Sequence, residues 1–347
     1  MAAESHDHAR QGANPALIEV TRGGRIESIH RGAAVVMTAE GEVVAAWGDI
    51  DRPIFVRSAA KPLQALALVE TGAADAFALA PEDLALACGS HGGEPRHVAC
   101  VTAWLARLGL DGRALVCGPH PPLDPQATAD LIRTGNAPTS IHNNCSGKHA
   151  GFLTVVRHLG LPLAGYGDPG HPLQQRIRQD VADMGDIEVG DDMLAIDGCG
   201  VPAFALPLRA LALAFARFGR PHGLPPRRGE AVERLFAAMA AHPLMVAGNG
   251  RFDIAMITAS NGGIVSKGGA EAVHAAAVPA AGLGLALKID DGAKRAADAA
   301  MAALLLAHAQ PEAPARTCLA AYTRQPLRNT AGTIVGEMRP AAGCLTA

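Results

Sequence analysis

The chain has 347 residues, of which 49% are hydrophobic and only 3% aromatic, so alanine and branched aliphatic side chains must fill a large core. The net charge of −3, without any basic block, argues against nucleic acid as a partner. The apolar run at 203–219 comes nearest to a membrane span, but two arginines interrupt it, so no membrane association is expected.

The amino-terminal segment carries acids and histidines without an apolar stretch. We therefore predict a disordered tail at 1–15 rather than a signal peptide. Seven scattered cysteines, an odd number, argue against a disulfide framework and favour a cytoplasmic protein with reduced thiols.

Short apolar or alternating segments between glycines open the chain and predict antiparallel strands. They lie at 16–21, 26–30, 33–38 and 43–48. The apolar spacing becomes helical from about residue 58. Further helices are predicted near 95–109, 125–134, 146–159, 171–184, 204–218 and 229–241.

Strand patterns return at 262–269 and 282–292, and an amphipathic helix follows at 293–309. The strand-like stretch at 322–340 has no evident place in the sheet. The element order predicts an α+β fold in which both chain ends form one antiparallel sheet and a helical domain is inserted between them. The predicted domains are a discontinuous sheet domain, 16–61 plus 250–347, and a mainly helical domain, 62–249.

The sequence RSAAKPLQ at 57–64 places a serine and a lysine three residues apart, on one face of a helix. Pro62 fits a first helical turn, so Ser58 would lie near the helix start, where free N–H groups stabilise negative charge. Lys61 could take the serine proton only when neutral, which burial or a second cation would favour. The alternative is a capping serine beside a surface lysine.

Two later segments could complete a catalytic centre. Ser90 lies among glycines in ACGSHGGEPRH (87–97), where the backbone could approach a ligand closely, or where the chain simply turns. Lys267 ends a strand in IVSKGGAE (264–271), the place where penicillin-recognising serine hydrolases carry Lys-Thr/Ser-Gly. Here the order is S-K-G-G, and a lysine at this place is also common on edge strands.

The sequence NNCSGKHAGF at 143–152 does not fit a phosphate-binding loop, because a histidine follows its Gly-Lys pair and the preceding glycine is Gly135. Cys145 lies near a predicted helix start, which lowers a thiol pKa. Cys199, in AIDGCGVP (195–202), could meet it in space.

Two thiolates bind Zn²⁺ well, and the third ligand could be His149, Asp197 or a neutral Lys148. The alternative is a pair of separate, buried, reduced cysteines. Spacing by itself does not decide between these two interpretations.

Seven motifs stand in the order found in class 3, rhizobial-type L-asparaginases: RSAAKPLQ, CGSHGGE, HNNCSGKHAGFL, YGDPGHPLQ, DGCGVPAF, GNGRFD and SKGGAE. The chain resembles this zinc-containing family from about residue 16 to at least 310. The family is similar in fold to serine β-lactamases and to bacterial glutaminases of that fold. The resemblance implies a homodimer that hydrolyses L-asparagine to L-aspartate and ammonia.

The resemblance also implies the residues of the site. It pairs Ser58 with Lys61, and Ser90 with Lys267, as catalytic groups. It assigns Zn²⁺ to Cys145, Lys148 and Cys199. The residues expected to contact substrate are Arg57, His91, Asn143, His149, Asp197 and Gly200.

We expect Ser58 to attack the carboxamide with Lys61 as its base, while Ser90 passes a proton to the leaving ammonia from the side of Lys267. If the two amines lie close together, each favours the neutral form of the other. Zinc would orient the α-amino and α-carboxylate groups of the substrate, because two thiolates donate charge to the metal and weaken it as a Lewis acid.

Three other functions stay open. Cys145, activated by Lys148, could be the nucleophile of a thiol amidase. The same fold could carry a glutaminase or a penicillin-type serine hydrolase. The cysteines and glycine-rich turns could also form a zinc-dependent binding or scaffold protein without catalysis. We favour the asparaginase, because a binding protein has no need of two separate Ser-Lys pairs.

Overall fold

A computed structural model describes residues 13–345. Residues 1–12 of the predicted tail lie outside the described residues. Between residues 13 and 345 the strands are β1 (Ala16–Arg22), β2 (Arg25–Thr38), β3 (Val43–Trp47), β4 (Pro53–Phe55), β5 (Leu194–Ile196), β6 (Pro202–Pro207), β7 (Val265–Gly268), β8 (Val273–Val278), β9 (Leu283–Ile289), β10 (Gln325–Arg328) and β11 (Ile334–Pro340).

The helices of the same residues alternate with short 3₁₀ turns. They are α1 (Lys61–Gln64), α2 (Leu66–Glu70), α3 (Ala73–Ala76), α4 (Pro81–Ala87), α5 (Pro95–Arg107), α6 (Pro125–Arg133), α7 (Ser146–His158), α8 (Pro172–Gly185), α9 (Leu208–Gly219), α10 (Pro226–Ala241), α11 (Pro243–Val246), α12 (Phe252–Ala259), α13 (Lys294–His308) and α14 (Ala313–Thr323).

The main sheet joins the two ends of the chain. Its strand order is β10-β11-β1-β2-β9-β8-β7, β3 pairs with β2, and every pairing is antiparallel. The predicted α+β fold with a sheet built from both chain ends is confirmed. The stretch 322–340 now has its place, since β10 and β11 pair with each other and β11 continues the sheet beside β1.

Apolar side chains cover both faces of the sheet, as strand alternation requires. Ala33 and Val35 of β2 belong to one core, which they share with α9 and the helices of the middle of the chain. Ala34 and Val36 face the other way, into a core completed by α13 and α14. The division into domains at 16–61 plus 250–347 and 62–249 stays a prediction.

Two local predictions were wrong. The segments 26–30 and 33–38 form one 14-residue strand, β2, and Gly32 does not break it. A Cβ at Gly32 would overlap the carbonyl oxygen of Lys288 on β9, so this glycine serves close strand approach. The segment 204–218 begins as strand β6, and α9 starts only after Pro207, whose backbone is extended.

Helix α9 lies directly across β9 at Gly284, where a Cβ would overlap the backbone of Ala212 and Ala216. We expect Gly284→Ala to lower the free energy of unfolding by about 1–3 kcal/mol, because helix and strand must move apart. Gly170→Ala is the control, since no atom lies within 4 Å of a Cβ there. Urea unfolding checks both variants, and equal midpoints for the two would contradict this packing.

Candidate active site

Two buried lysines share one serine hydroxyl. Lys61, the first residue of α1, donates from Nζ to Ser90 Oγ at 2.9 Å and to the carbonyl oxygen of Gly89 at 2.6 Å. Lys267 of β7 donates to the same Oγ at 3.0 Å. Both lysines are 1% exposed and Ser90 is 4% exposed. We call these three residues, Lys61, Ser90 and Lys267, the lysine–serine cluster.

The backbone of Ser90 is held from the far side by the end of α11. Its N–H donates to the carbonyl oxygen of Val246 at 2.8 Å. Gly89 lies so close beneath Met245 that a Cβ would overlap the carbonyl oxygen of Met245. Only glycine allows this approach, which explains one glycine of the CGSHGGE motif.

The environment of Lys267 favours the neutral amine. Burial lowers the pKa of Lys267 to about 7, the charges of Lys61 and Arg251 act in the same direction, and Asp253 opposes them. A substantial share of this amine is therefore uncharged near neutral pH and can accept a proton. Cys88 lies nearby, and burial raises the pKa of its thiol to about 12, so it stays protonated.

Ser58 lies half-buried in the 3₁₀ turn Arg57–Ala60, just before α1. Among the described residues its hydroxyl has no hydrogen-bond partner, and the amine of Lys61 contacts Ser90 instead. Lys61 also donates to the carbonyl oxygen of Asn144 at 3.2 Å. The expected Ser58–Lys61 hydrogen bond is thus not formed in this structure, because Ser90 and two carbonyl groups hold the amine elsewhere. The catalytic role of Ser58 stays a prediction.

An ion pair links the serine turn to the loop of the second cysteine. Arg57 donates to Asp197 Oδ1 from Nε at 2.9 Å and from Nη2 at 2.7 Å. Arg57 has a φ of 48°, which is strained for a residue other than glycine and is typical of functional sites. Burial opposes the ionisation of Asp197, but Arg57 and the N–H of Gly198 hold its pKa below the ordinary value. Gly200, with φ of 82°, turns this loop.

The three predicted zinc ligands come together in the interior. Cys145 is the N-cap residue of α7, and the Nζ of Lys148, one turn later, lies 3.1 Å from Cys199 Sγ. The hydrogen bond with Cys199 lowers the pKa of the Cys145 thiol, helped by Lys61 and Lys148 and opposed by burial. The neighbouring Cys145 and burial raise the pKa of the Cys199 thiol.

These donors suit a metal ion of intermediate softness. Two buried cysteines, with the amine of Lys148 3.1 Å from Cys199 Sγ, offer the nitrogen and sulfur ligands that Zn²⁺ accepts in a tetrahedral site. Burial lowers the pKa of Lys148, but the charges of Cys199 and Cys145 outweigh it and raise this pKa. Binding of a metal to the Lys148 amine would therefore have to displace a proton. Within residues 13–345 no three His, Cys, Asp or Glu side chains cluster as a metal site, and the Cys-Lys-Cys set contains only two.

His149 and His91 are completely buried, and burial lowers the pKa of each well below the ordinary value. His149 Nδ1 lies 2.8 Å from the hydroxyl of Tyr166, while its Nε2 has no partner among the described residues. His91 donates from Nε2 to Ser146 Oγ and accepts at Nδ1 from the N–H of Gly93. In this structure His91 has no ring nitrogen free for a substrate.

Asn143 is also fully engaged by the protein. Its amide donates to the carbonyl oxygens of Cys117 and Gly118 at 2.8 Å, and its Oδ1 accepts from the N–H of Cys145 at 2.9 Å. Asn143 therefore fixes the backbone that presents Cys145. A role for Asn143 and His91 in contacting substrate stays a prediction.

Sequence reasoning missed two buried side chains of the site. Tyr166, in the YGDPGHPLQ motif, contacts His149 and accepts a hydrogen bond from the N–H of Val116. Asp253, in the GNGRFD motif, lies beside the strand of Lys267. Their places in shared motifs were the available signal, since neither residue is conspicuous by its spacing.

Residues of α11 line part of a cavity of about 710 Å³. Its walls include Asp83, Arg107 and Leu244, and none of the predicted site residues lines it. The cavity therefore does not identify the reaction centre.

In residues 13–345, no helix combines the length and the apolar character that crossing a membrane demands.

Comparison with known proteins assigns the chain to a family. A family model described as L-asparaginase II matches residues 18–340. A search of curated proteins found no match. Among solved structures, unliganded simvastatin synthase LovD from Aspergillus terreus is 15% identical, with a TM-score of 0.38 over 77% of this chain and 90% of that chain. A β-lactamase from Mycobacterium bovis is 15% identical, with a TM-score of 0.35 over 84% and 95%. TM-scores this low carry no argument about function.

Proposed function

Because the chain belongs to the L-asparaginase II family, we propose that it hydrolyses the side-chain amide of L-asparagine to L-aspartate and ammonia. The observation that carries this proposal is the lysine–serine cluster, in which one hydroxyl contacts two buried amines. Amide hydrolysis needs a group that takes a proton from the nucleophile and returns it to the leaving nitrogen. A buried amine with a pKa of about 7 suits both tasks.

In the proposed reaction Ser58 is the nucleophile. Ser58 is half-buried and can meet a substrate, whereas Ser90 is almost wholly buried beneath the two lysines. The Ser58 proton would move to an amine of the lysine–serine cluster, either directly to Lys61 or through the Ser90 hydroxyl. Hydrogen bonds of this kind often form only once the substrate is bound, so the open Ser58–Lys61 geometry is compatible with this role.

The steps conserve atoms and protons. Ser58 Oγ bonds to the amide carbon as its proton moves to an amine of the cluster. The C–N bond then breaks and the amine returns the proton to nitrogen, which leaves as ammonia. Water attacks the resulting serine ester, its proton moves to the same amine, and aspartate leaves as the Ser58 hydroxyl is restored.

The Arg57–Asp197 ion pair suits a substrate that carries both charges. An amino acid could place its α-carboxylate on Arg57 and its α-ammonium group on Asp197, so the existing pair would be exchanged for two pairs with substrate. Both side chains remain partly exposed, so a ligand can reach them.

We expect Arg57→Met to raise KM for L-asparagine about 100-fold and to lower kcat less, since a charged hydrogen bond of about 2–3 kcal/mol is lost in ground and transition states alike. Arg113→Met is the matched control, because Arg113 also pairs with an aspartate, Asp111, but on the exposed surface. Steady-state kinetics checks both variants. An unchanged KM for Arg57→Met would remove Arg57 from the substrate site.

We also propose that Cys145, Lys148 and Cys199 hold Zn²⁺, since their sulfurs and amine form a fitting donor set. When bound, the ion would supply a fixed positive charge beside the Asp197 loop and so orient the substrate. A homodimer and a cytoplasmic location belong to the same proposal and rest on the resemblance and on seven free cysteines.

The decisive experiment measures ammonia release from L-asparagine and L-glutamine, and nitrocefin hydrolysis, with and without a chelator. Metal analysis of the same sample tests the zinc proposal. We expect turnover of asparagine well above that of the other two compounds. Faster glutamine or nitrocefin turnover would replace the substrate assignment, and asparagine binding without ammonia release would replace the enzyme by a binding protein.

A further inference from the structure

The buried carboxylate of Asp253 accepts hydrogen bonds from the strand that carries Lys267. Asp253, the second residue of α12, accepts hydrogen bonds from Ser266 Oγ at 2.8 Å and from the N–H of Gly268 at 3.1 Å. His274 Nε2, on the neighbouring strand β8, donates to the same oxygen at 3.0 Å. Asp253 therefore holds the residues on both sides of Lys267, and its side chain is 6% exposed.

Gly268 connects this carboxylate to the lysine–serine cluster. Its N–H is held by Asp253, and its carbonyl oxygen accepts from Lys267 Nζ at 2.6 Å. The same Nζ donates to Ser90 Oγ at 3.0 Å. Successive residues of a strand face opposite sides, so Asp253, bonded to Ser266, lies on the face away from the Lys267 side chain.

We propose that Asp253 is a positioning residue of the reaction: it fixes Gly268, and through that residue it keeps the amine of Lys267 on the hydroxyl of Ser90. Asp253 contacts neither substrate nor reacting atoms in this scheme. The inference rests on the proposed function, because it assigns the task to a lysine of that reaction. It adds an outcome that a merely structural aspartate would not produce, a displaced pH profile.

The charges around Lys267 determine the direction of that displacement. Lys61 and Arg251 favour the neutral amine, whereas Asp253 and the Cys145 thiolate favour the charged one; Cys88, also nearby, is an uncharged thiol. Burial lowers the pKa of Lys267 to about 7 in spite of Asp253. Removing the Asp253 charge lowers it further. A base is active above its pKa, so the acid limb of kcat/KM moves to lower pH.

The test compares Asp253→Asn with Asp298→Asn. Asp298 Oδ1 lies 3.7 Å from the other ring nitrogen of His274, so the control removes a carboxylate from the same histidine on its far side. We expect Asp253→Asn to lower kcat about 10- to 100-fold, to change KM less than about threefold, and to move the acid limb down by about one pH unit. Asp298→Asn is expected to leave the limb in place.

Asp253→Glu separates position from charge, and it tests the inference even if Asp253→Asn does not fold. The longer side chain keeps the charge but displaces Gly268, so kcat should fall while the limb stays in place. An unchanged kcat for either Asp253 variant overturns the inference. A lower kcat for Asp253→Asn with an unmoved limb assigns Asp253 a structural role only and overturns it as well.

A measurement without turnover keeps this inference distinct from the proposed function. Cyanate carbamylates neutral amines, so the pH dependence of Lys267 modification, followed by peptide mass spectrometry, reports the uncharged fraction directly. The pH midpoint of carbamylation should be lower for Asp253→Asn than for the wild-type protein. Equal midpoints contradict the inference. If the wild-type protein releases no ammonia from asparagine, the proposed function fails, while the measured shift in the carbamylation midpoint still stands.

Discussion

Replacement of Ser58 by alanine is expected to lower kcat for L-asparagine at least ~10³-fold, because covalent catalysis cannot proceed without its nucleophile. The side chain is half-buried and makes no hydrogen bond among the described residues, so folding should be unaffected. Steady-state ammonia release, with circular dichroism and thermal unfolding of the same sample, checks both expectations. Wild-type turnover in a folded Ser58→Ala protein would end the nucleophile assignment.

Ser90→Ala provides the informative comparison. This substitution should lower kcat about 10²- to 10³-fold, because it removes the hydroxyl that contacts both amines and leaves Lys61 and Lys267 in place. Acid quenching during turnover, followed by peptide mass spectrometry, should find the aspartyl ester on the peptide containing Ser58. An ester on the Ser90 peptide would exchange the roles of the two serines. Ser28→Ala, a substitution on strand β2 of the sheet, is the control.

Replacement of Cys199 by serine is expected to lower bound zinc from about one ion per chain to below a tenth and to lower kcat/KM about 10- to 100-fold. The change removes a sulfur and leaves Lys148 Nζ without its 3.1 Å partner. Metal analysis and asparagine kinetics on the same preparation test it. Cys318→Ser is the matched control, since Cys318 is a free thiol on α14 that contacts the carbonyl group of Ala255.

Metal removal, alkylation and the Cys199→Ser variant together separate the zinc proposal from a thiol amidase with Cys145 as nucleophile. The low pKa of Cys145 favours a thiolate, which either binds a metal or attacks a substrate. Full activity in a metal-free sample, together with iodoacetamide inactivation that asparagine prevents, would identify Cys145 as the nucleophile. If Cys199→Ser keeps both its zinc and its activity, the proposed ligand set is wrong.

Much of the fold follows from patterns that are local in the chain. Alternating and helical spacing identified every strand of the main sheet except β8, together with most of the central helices, and their order predicted the shared antiparallel sheet. One error arose where alanine and leucine satisfy both periods, in 204–218, and the other arose because Gly32 was taken as a strand break. The edge pair β10 and β11 could not be placed, because its partner β1 begins about 300 residues earlier and no local pattern records that pairing.

The amino-acid sequence by itself determined membership of an asparaginase family and the α+β arrangement, and it supplied the candidate site residues, because motifs and periodicity are properties of neighbouring positions. Only the tertiary structure decided that Lys61 donates to Ser90 rather than to Ser58, and that Arg57 pairs with Asp197. It also decided that Asp253 bonds to Ser266 and Gly268, on either side of Lys267. The physical reason is that a long flexible side chain goes to whichever acceptors the fold brings within about 3 Å. Those acceptors come from segments that are distant in sequence, and spacing along the chain does not encode their separation in space.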